Sequence, residues 1–374
     1  MYNFGIGEMN PEIPVPEPLK QWIVESLMAD ENQYSAAAGS PDLLEALASD
    51  FANFGLEHTP SQFVVCPGPK DAIFKACLAL LDPEQSRNRL LTFTPAYESF
   101  ENVPVLVTGK DALTLPTDEN FYPIPNVLAQ KLDDDPTIKV VIVNSPNNPS
   151  GTVYPPALLR ELADILGRHP EVAVISDEVY RVALYDDAEY CSLGALIPEQ
   201  TFIIGGMSKE VSGTGLRLGF VAGPRDMIKV IENVQGNATS CVHLPTQKGY
   251  ARFLQADSSL KIRRGVCDQL RERRDSLLAH FRKAAPDASW NAPRGAFYFF
   301  PKMSAYLGRT TANGTRIETD EHLARFVVEQ ARVVTVPGSA FRRPGHLRFA
   351  YASSSPETIP IAMQRLGEAL HSLE

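Results

Sequence analysis

The 374-residue sequence lacks the marks of several protein classes. Its five cysteines form no Cys-x-x-Cys pair and its seven histidines show no metal-ligand spacing, which disfavours a disulfide scaffold and a zinc site. No apolar run approaches the length of a membrane span, and the N-terminus has no basic and apolar leader. Internal repeats and low-complexity tracts are also absent. We therefore expect a globular, cytoplasmic protein with reduced cysteines and no membrane contact.

Positive charge is also scarce in this chain. Lysine and arginine number 35 against 45 aspartates and glutamates, which gives a formal net charge of −10. This balance disfavours nucleic-acid binding, which usually needs a basic surface. The chain is long enough to bury a large core and to form two domains.

Short apolar runs alternate with helical patterns through the first two thirds of the chain. The predicted strands are Phe63–Cys66, Leu90–Phe93, Val103–Val107, Val140–Val143, Val172–Ser176, Thr201–Ile204 and Leu218–Ala222. Helices are predicted from Pro41, from near Pro69 and over Ala157–Leu166, and the proline cluster Pro11–Pro18 predicts an extended segment. Apolar strands between helices are typical of an α/β fold with a mostly parallel sheet buried on both faces.

A long arginine-rich helical pattern from Ser259 to about Lys283 marks a boundary. The elements predicted beyond it are strands at Ala296–Phe300, Val333–Val336 and Leu347–Tyr351, a helix over Thr319–Gln330 and a C-terminal helix from Pro356. This order predicts a smaller α+β domain. We therefore predict a large domain at 35–258 and a small domain formed by 1–34 and 259–374.

Three successive apolar runs are followed by polar side chains of different kinds. Asn148 follows the first run, Asp177 and Tyr180 follow the second, and Lys209 follows the third. Because open α/β sheets bind ligands beyond the carboxyl ends of their strands, we expect these side chains to lie close together.

This set matches what a pyridoxal cofactor requires. A lysine with a lowered pKa can form a Schiff base with an aldehyde and then carry a proton. The carboxylate of Asp177 would keep the pyridine nitrogen protonated, while Asn148 and Tyr180 could donate to the ring oxygen. Taken singly, Lys209 could be a surface lysine, Asp177 a helix cap and Asn148 a turn residue before Pro149. The ordered set favours the cofactor site.

Over nearly its whole length, the sequence resembles the class I and II aminotransferases, which are pyridoxal-phosphate enzymes of fold type I. The most specific matches are Asn-Pro-x-Gly within Asn144–Gly151, Asp-x-x-Tyr within Ser176–Tyr180, and the spacing from Ser208-Lys209 to Arg217. Further resembling segments are Gly5–Glu8, Gln33–Ser35 with Ala38–Gly39, Gly68–Lys70, Pro293–Pro301 and Leu347–Phe349. The resemblance implies a large domain with a mostly parallel seven-stranded sheet between helices, plus a smaller α+β domain.

The resemblance also implies roles for single residues around the cofactor ring. Lys209 is similar to the lysine that holds pyridoxal 5′-phosphate as an internal aldimine, and Asp177 to the acid that pairs with its ring nitrogen. Asn148 and Tyr180 resemble the pair that bonds the ring oxygen. Tyr97, otherwise an ordinary loop aromatic, resembles the residue stacked on the ring.

The phosphate and substrate residues follow by the same resemblance. Arg217 and Ser208 are expected at the phosphate, together with the segment Gly68-Pro69-Lys70. Tyr34 resembles the tyrosine that reaches the phosphate across the interface of a homodimer. Arg348, with Gly7 or Asn148 beside it, resembles the arginine that binds the α-carboxylate of the substrate. Without the resemblance, the alternating pattern of Leu347–Phe349 would favour an exposed strand position for Arg348.

The implied activity is transfer of an amino group from an L-amino acid to a 2-oxo acid. The same lysine and aspartate would also serve elimination, cyclisation or oxidation of a specialised amino acid, so the motifs leave that alternative open. A third interpretation is a ligand-sensing regulator built on an aminotransferase-like domain. Such regulators carry a DNA-binding domain ahead of this one, and the acidic charge disfavours this interpretation.

The sequence departs from the family pattern in three places. Pro69 has no N–H at a position where relatives commonly bind the phosphate with an amide. Gly206 stands where many relatives carry a hydroxyl, so phosphate binding is expected to depend more on Arg217, Lys70, Tyr34 and water. Relatives often have a segment ahead of Gly5 that covers the neighbouring site. Its absence here predicts a more open entrance, or one shaped by the loop 308–316.

Overall fold

The computed structural model describes residues 1–374. The strands are β1 (Tyr2–Asn3), β2 (Phe63–Cys66), β3 (Arg89–Thr94), β4 (Leu113–Pro116), β5 (Ile138–Asn144), β6 (Ala173–Asp177), β7 (Thr201–Gly206), β8 (Gly219–Ala222), β9 (Tyr298–Phe299), β10 (Val333–Val334), β11 (Val336–Pro337) and β12 (Leu347–Ala350). The helices are α1 (Glu17–Met28), α2 (Pro41–Ala52), α3 (Pro69–Leu80), α4 (Glu98–Thr108), α5 (Pro125–Asp134), α6 (Pro156–Leu166), α7 (Leu193–Leu196), α8 (Met207–Glu210), α9 (Arg225–Thr239), α10 (Leu244–Gln255), α11 (Ser259–Ala284), α12 (Asp320–Ala331) and α13 (Thr358–His371). None of these helices combines the length and the apolar character needed to cross a membrane.

The largest sheet has seven strands in the order β2-β8-β7-β6-β5-β3-β4. All of its neighbouring pairs are parallel except the two made by β8, which runs antiparallel to β2 and β7. The prediction of an α/β fold with a mostly parallel seven-stranded sheet is therefore confirmed. Parallel order brings the carboxyl ends of β5, β6 and β7 to one edge of the sheet, where ligands bind in such folds.

Both faces of this sheet are buried under helices. In β5, Val140 and Ile142 pack on one face with residues of α3, whereas Val141 and Val143 pack on the other with residues of α5 and α6. Successive side chains of a strand point to opposite faces, so an uninterrupted apolar run fills two cores at once.

The predicted strand Val103–Val107 is wrong, because these residues belong to α4. The β-branched residues favoured a strand, but only one side of the segment is buried. Ser99, Phe100, Val103 and Pro104 are buried, while Leu106 is 75% exposed. That spacing is the buried face of a helix. The strand next to β3 is instead β4, which the sequence pattern did not indicate.

Smaller corrections concern segment ends. The extended segment predicted over Pro11–Pro18 is shorter at both ends. Residues 10–13 form a turn in which the Ile13 N–H donates to the Met9 oxygen. Helix α1 begins at Glu17 with a proline in its first turn, where the missing N–H costs no helical hydrogen bond. The predicted strand Ala296–Phe300 is reduced to β9. The predicted strand Val333–Val336 divides into β10, which pairs with β1, and β11, which pairs with β12.

Candidate active site

A cavity of about 520 Å³ lies at the carboxyl ends of β5, β6 and β7. It extends from these strand ends to β12 and to the segment 6–8 near the N-terminus. Every predicted site residue except Gly68 and Tyr34 lines this cavity. The loop 308–316, which was one of two alternatives for the entrance, contributes no residue to the lining within the protomer.

Lys209 lies on the short helix α8, directly after β7. Its Nζ donates to the backbone oxygen of Gly7 at 2.5 Å and lies 5.7 Å from the centre of the Phe297 ring. Burial lowers the pKa of Lys209 to about 8, with Glu8 opposing the shift and Arg348 adding to it. A lysine with such a pKa is partly neutral near neutral pH, which a nucleophilic amine requires.

Asp177 ends β6 and is almost completely buried. Its side chain accepts one hydrogen bond from the protein, from the Val179 N–H at 3.3 Å. Burial raises the pKa of Asp177 to about 7, with a smaller contribution from neighbouring Glu178 and against the lowering effect of the Val179 hydrogen bond. A buried carboxylate with a single neutral donor lacks a cationic partner, and a protonated ring nitrogen would supply one.

Arg348 on β12 is buried inside the cavity wall, with 7% exposure, so its alternative interpretation as an exposed strand residue is wrong. Its Nη1 donates to the side-chain oxygen of Asn148 at 3.0 Å, and its Nη2 donates to the Gly5 backbone oxygen at 2.7 Å. The Nε of Arg348 is buried and has no partner. Two of the five N–H groups of the guanidinium are therefore used within the protein, which leaves donors for a carboxylate.

Tyr180 meets a residue that the sequence did not single out. Its hydroxyl forms a hydrogen bond with the hydroxyl of Tyr298 at 2.8 Å, and both side chains line the cavity. Tyr298 lies within the resembling segment Pro293–Pro301. The one sequence signal for it was a single hydroxyl inside the aromatic run Phe297–Phe300.

The phosphate-binding candidates gather where α3 begins. Gly68 precedes the helix with φ of +92°, and a Cβ there would collide with the Arg217 guanidinium. Arg217 donates to the backbone oxygens of Thr214 at 2.7 Å and Pro67 at 3.1 Å. The buried hydroxyl of Ser208 has no partner. A free hydroxyl, a guanidinium and the first turn of a helix form an arrangement that fits a phosphate.

Two departures from the family pattern have structural explanations. A Cβ at Gly206 would lie 2.6 Å from the Cα of Gly219, so the close approach of β7 and β8 excludes a hydroxyl-bearing side chain there. Lys70, expected at the phosphate, lines the cavity, forms an ion pair with Glu98 at 3.2 Å and lies over the Tyr97 ring at 5.3 Å. Pro69 occupies the first helical position, where proline leaves the helix intact.

Tyr34 lies outside the cavity of its own protomer. Its side chain is 83% exposed, which is unusual for a large aromatic residue. The Tyr34 hydroxyl forms no hydrogen bond within the protomer.

Almost the whole chain matches a known protein family. Residues 1–366 match the family model described as "Aminotransferase class I and II". The chain belongs to this family. It is therefore a pyridoxal-phosphate-dependent aminotransferase of fold type I, and the fold, cofactor and activity predicted from the sequence are confirmed.

Individual relatives cover almost all of the chain. It is 32% identical to the aspartate aminotransferase of Rhizobium meliloti (strain 1021), over 99% of this chain and 88% of that protein. It is also 32% identical to a probable aspartate/prephenate aminotransferase of Thermus aquaticus, over 96% of this chain and 89% of that protein. The crystal structure of the Rhizobium meliloti aspartate aminotransferase superposes with a TM-score of 0.91 at 30% identity, over 100% of this chain and 92% of that one.

Proposed function

We propose that Lys209 is the residue that carries the amino-transfer chemistry of this protein. The observation that carries the proposal is its half-buried amine, which shares one cavity with Asp177 and Arg348. Pyridoxal 5′-phosphate, when bound, supplies an aldehyde and an electron-accepting ring. Asp177 would hold the ring nitrogen, Asn148 and Tyr180 the ring oxygen, and Tyr97 the ring face. Arg217, Ser208 and the first turn of α3 would hold the phosphate.

Lys209 is also the group suited to move a proton at the substrate carbon. Its pKa of about 8 lies near neutral pH, where a general base is most effective. The backbone oxygen of Gly7 accepts a hydrogen bond from its Nζ and orients it inside the cavity. Arg348 would bind the substrate α-carboxylate and so place the substrate carbon within reach of Nζ.

We infer that the preferred substrate side chain is apolar or aromatic. The cations lining the cavity are Lys70, Lys209, Arg217 and Arg348. The last three have roles in the proposal, and Lys70 is paired with Glu98. No cation of the protomer is therefore left for a second carboxylate. The cavity does present Ile6, Val336 and Phe341, which suit an apolar side chain.

A dicarboxylic substrate is the second candidate, because the relatives include aspartate aminotransferases. To bind the second carboxylate of such a substrate, Lys70 would have to leave Glu98, or a cation would have to come from outside the protomer. The test compares kcat/KM for phenylalanine, leucine and aspartate in the wild type and in Glu98→Gln. We expect the first two donors to react faster in the wild type, and Glu98→Gln to improve aspartate selectively. Faster reaction of aspartate with wild-type enzyme would overturn the inferred preference.

Transfer and elimination differ in where the nitrogen goes. With an amino acid and no 2-oxo acid, we expect oxo acid to form in an amount equal to the enzyme sites and then stop. Adding a 2-oxo acid should restart the reaction, with no free ammonia at any stage. Continuing ammonia release without an acceptor would instead support the elimination alternative.

We also propose that the protein works as a homodimer in which Tyr34 reaches the cofactor phosphate of the second subunit. The exposure of Tyr34 and of Met28, at 83% and 79%, supports a covered surface in the assembly. Within each subunit we propose the domain division 35–258 against 1–34 with 259–374. Sedimentation gives the oligomeric state, and Tyr34→Phe should weaken cofactor binding about tenfold by removing one charge-assisted hydrogen bond. A monomer with unchanged cofactor affinity would contradict the proposal.

A further inference from the structure

We propose that Tyr298 is a positioning residue of the active site, acting through its contacts with Tyr180, Gly7 and Arg348. The inference rests on the proposed roles of those three residues. Tyr298 is on β9, opposite Ala350 of β12, and only 1% of its surface is exposed although it lines the cavity. A buried phenol that contacts three residues of the site can fix their positions as well as fill space.

The first contact is the hydrogen bond between the hydroxyls of Tyr298 and Tyr180, at 2.8 Å. The two rings meet edge to face with centres 5.6 Å apart, which sets the direction of both C–O bonds. Burial raises the pKa of Tyr298 to about 12 and that of Tyr180 well above its usual range, so both stay protonated at neutral pH. When Tyr298 donates to Tyr180, the proton of Tyr180 is left free for the cofactor ring oxygen.

The second contact is with the backbone of Gly7. A Cβ on Gly7 would lie 2.6 Å from the Tyr298 hydroxyl oxygen, so this phenol occupies the space that a side chain would need. The Gly7 carbonyl accepts the hydrogen bond from Lys209 Nζ at 2.5 Å. Packing of Tyr298 against Gly7 therefore holds the acceptor that orients the reactive amine.

The third contact is with Arg348. The guanidinium carbon lies 4.8 Å from the centre of the Tyr298 ring, within the range of a cation–π interaction. The ring supports one face of the group that we assign to the substrate carboxylate. One side chain thus links the ring-oxygen donor, the acceptor for Lys209 and the carboxylate-binding arginine.

A second pair of buried tyrosines offers a matched control. The hydroxyls of Tyr351 and Tyr185 lie 3.4 Å apart, both side chains are buried, and neither lines the cavity. If Tyr298 only fills the core, removing its hydroxyl should have the same consequences as removing that of Tyr351.

The test compares the holoenzymes of Tyr298→Phe and Tyr351→Phe. The lysine–cofactor linkage loses its proton more easily when Tyr180 stabilises negative charge on the ring oxygen. Loss of the Tyr298 hydroxyl should therefore raise the pKa of the linkage, read from its visible absorption, by about 0.5 to 1 unit. We expect kcat to fall about 5- to 30-fold with a smaller change in KM. Tyr351→Phe should change neither the linkage pKa nor kcat, although it should lower Tm about as much as Tyr298→Phe does.

Gly7→Ala provides a second measurement on the same contact. In the wild-type background the new methyl group would meet the Tyr298 hydroxyl, and we expect loss of activity and a shifted linkage pKa. In Tyr298→Phe the nearest ring atom would lie 3.5 Å away, which is an ordinary contact. Gly7→Ala should therefore do less damage in the Tyr298→Phe background than in the wild type.

Two results would overturn the inference. One is a Tyr298→Phe enzyme whose linkage pKa and kcat match those of Tyr351→Phe. The other is full additivity of Gly7→Ala and Tyr298→Phe. Failure of the proposed function is separately visible, because Lys209→Ala would then keep the spectrum of the lysine-linked cofactor.

Discussion

Two groups of buried or half-buried charged residues lie close together in this protein, and they differ in how their charges are paired. The cavity contains Asp177, Lys209 and Arg348, whose hydrogen bonds within the protein all go to neutral groups. The second group, here called the ionic cluster, consists of Asp50, Arg181, Glu210 and Arg263. Its members bond one another, with N–O distances of 2.5 to 3.4 Å.

The two groups are neighbours along the chain as well as in space. Arg181 directly follows Tyr180, and Glu210 directly follows Lys209, so each of these two segments gives one side chain to the cavity and the next one to the ionic cluster. Asp50 of α2 and Arg263 of α11 close the ionic cluster from outside those turns. The cluster therefore connects two helices to the segments that carry Tyr180 and Lys209.

The difference shows how one fold uses buried charge for two purposes. The ionic cluster has two acids and two bases, so each charge is compensated, and its acids raise the pKa of Arg181 despite complete burial. In the cavity no such pairing exists, and the pKa values of Lys209 and Asp177 move toward neutrality, to about 8 and about 7. Unpaired charge costs stability but leaves groups free to bind and to exchange protons.

The largest effect is expected from Lys209→Ala. Removing the amine abolishes both the covalent link and the proton carrier, so turnover should fall by about 10⁴-fold or more. The visible absorption of the lysine-linked cofactor should disappear, while the Tm of the cofactor-free protein should not fall. Lys229→Ala, at an exposed position, is the control. Retained turnover in Lys209→Ala would show that Lys209 does not take part in the reaction. The contrast between reactive unpaired charges in the cavity and paired charges in the ionic cluster would then fail.

The next largest effect is expected from breaking the ionic cluster. Asp50→Asn leaves Arg181 and Arg263 facing one acid, and the uncompensated charge should lower the free energy of unfolding by about 3–5 kcal/mol. Urea denaturation measures this change. The pKa of the lysine–cofactor linkage should shift little in the protein that remains folded. A large spectral shift without loss of stability would show that the cluster belongs to the catalytic site.

Arg348→Lys should affect substrate binding and leave folding almost unchanged. Lysine keeps the charge but cannot bond Asn148, Gly5 and a carboxylate with one planar group. We expect kcat/KM to fall about 10²- to 10³-fold, mainly through KM, in steady-state assays. An unchanged KM would assign the α-carboxylate to another residue.

The smallest expected effect is a pH dependence in the cofactor-free protein. The pKa of Asp177 is raised to about 7 in the folded state, so the folded protein holds a proton that the unfolded chain has already lost. The free energy of unfolding should therefore decrease as pH rises from about 4 to about 7. Cofactor-free Asp177→Asn should be more stable than the wild type at pH 8, by up to a few kcal/mol, with the difference vanishing near pH 4.

Thermal denaturation across this pH range measures the effect, and Asp187→Asn, at an exposed aspartate, is the control. With cofactor bound the sign should reverse, because the aspartate then has a cationic partner that asparagine cannot match. A constant difference between Asp177→Asn and the wild type at every pH would show that Asp177 is not the titrating group.

Much of the site could be predicted because its residues follow strand ends. Asn148 and Lys209 follow β5 and β7, Asp177 ends β6, and parallel order brings these strand ends together whatever the loops do. The segment Val103–Val107 was mispredicted for the opposite reason. Its β-branched residues indicate a strand locally, but the segment forms a helix because only one side of it packs against the core.

Contacts between distant segments could not be derived from local patterns. Arg348 and Asn148 are 200 residues apart, and Tyr180 and Tyr298 are 118 apart. The alternating pattern around Arg348 predicted an exposed side chain. In the structure the guanidinium is buried against Tyr298 and Phe341 and forms part of the cavity wall. Only the docking of β9 and β12 onto the strand ends of the large sheet decides this.

The sequence by itself determined the α/β class, the order of its apolar strands and the chemical types of side chain at their ends. These properties depend on hydrophobic periodicity and on residue type, both of which are local. Tertiary structure alone decided which charges are paired and which are left free, since Lys209 and Glu210 are adjacent in the chain but belong to different groups. Pairing depends on distances across the fold, and in a buried environment those distances set the pKa and the function of each group.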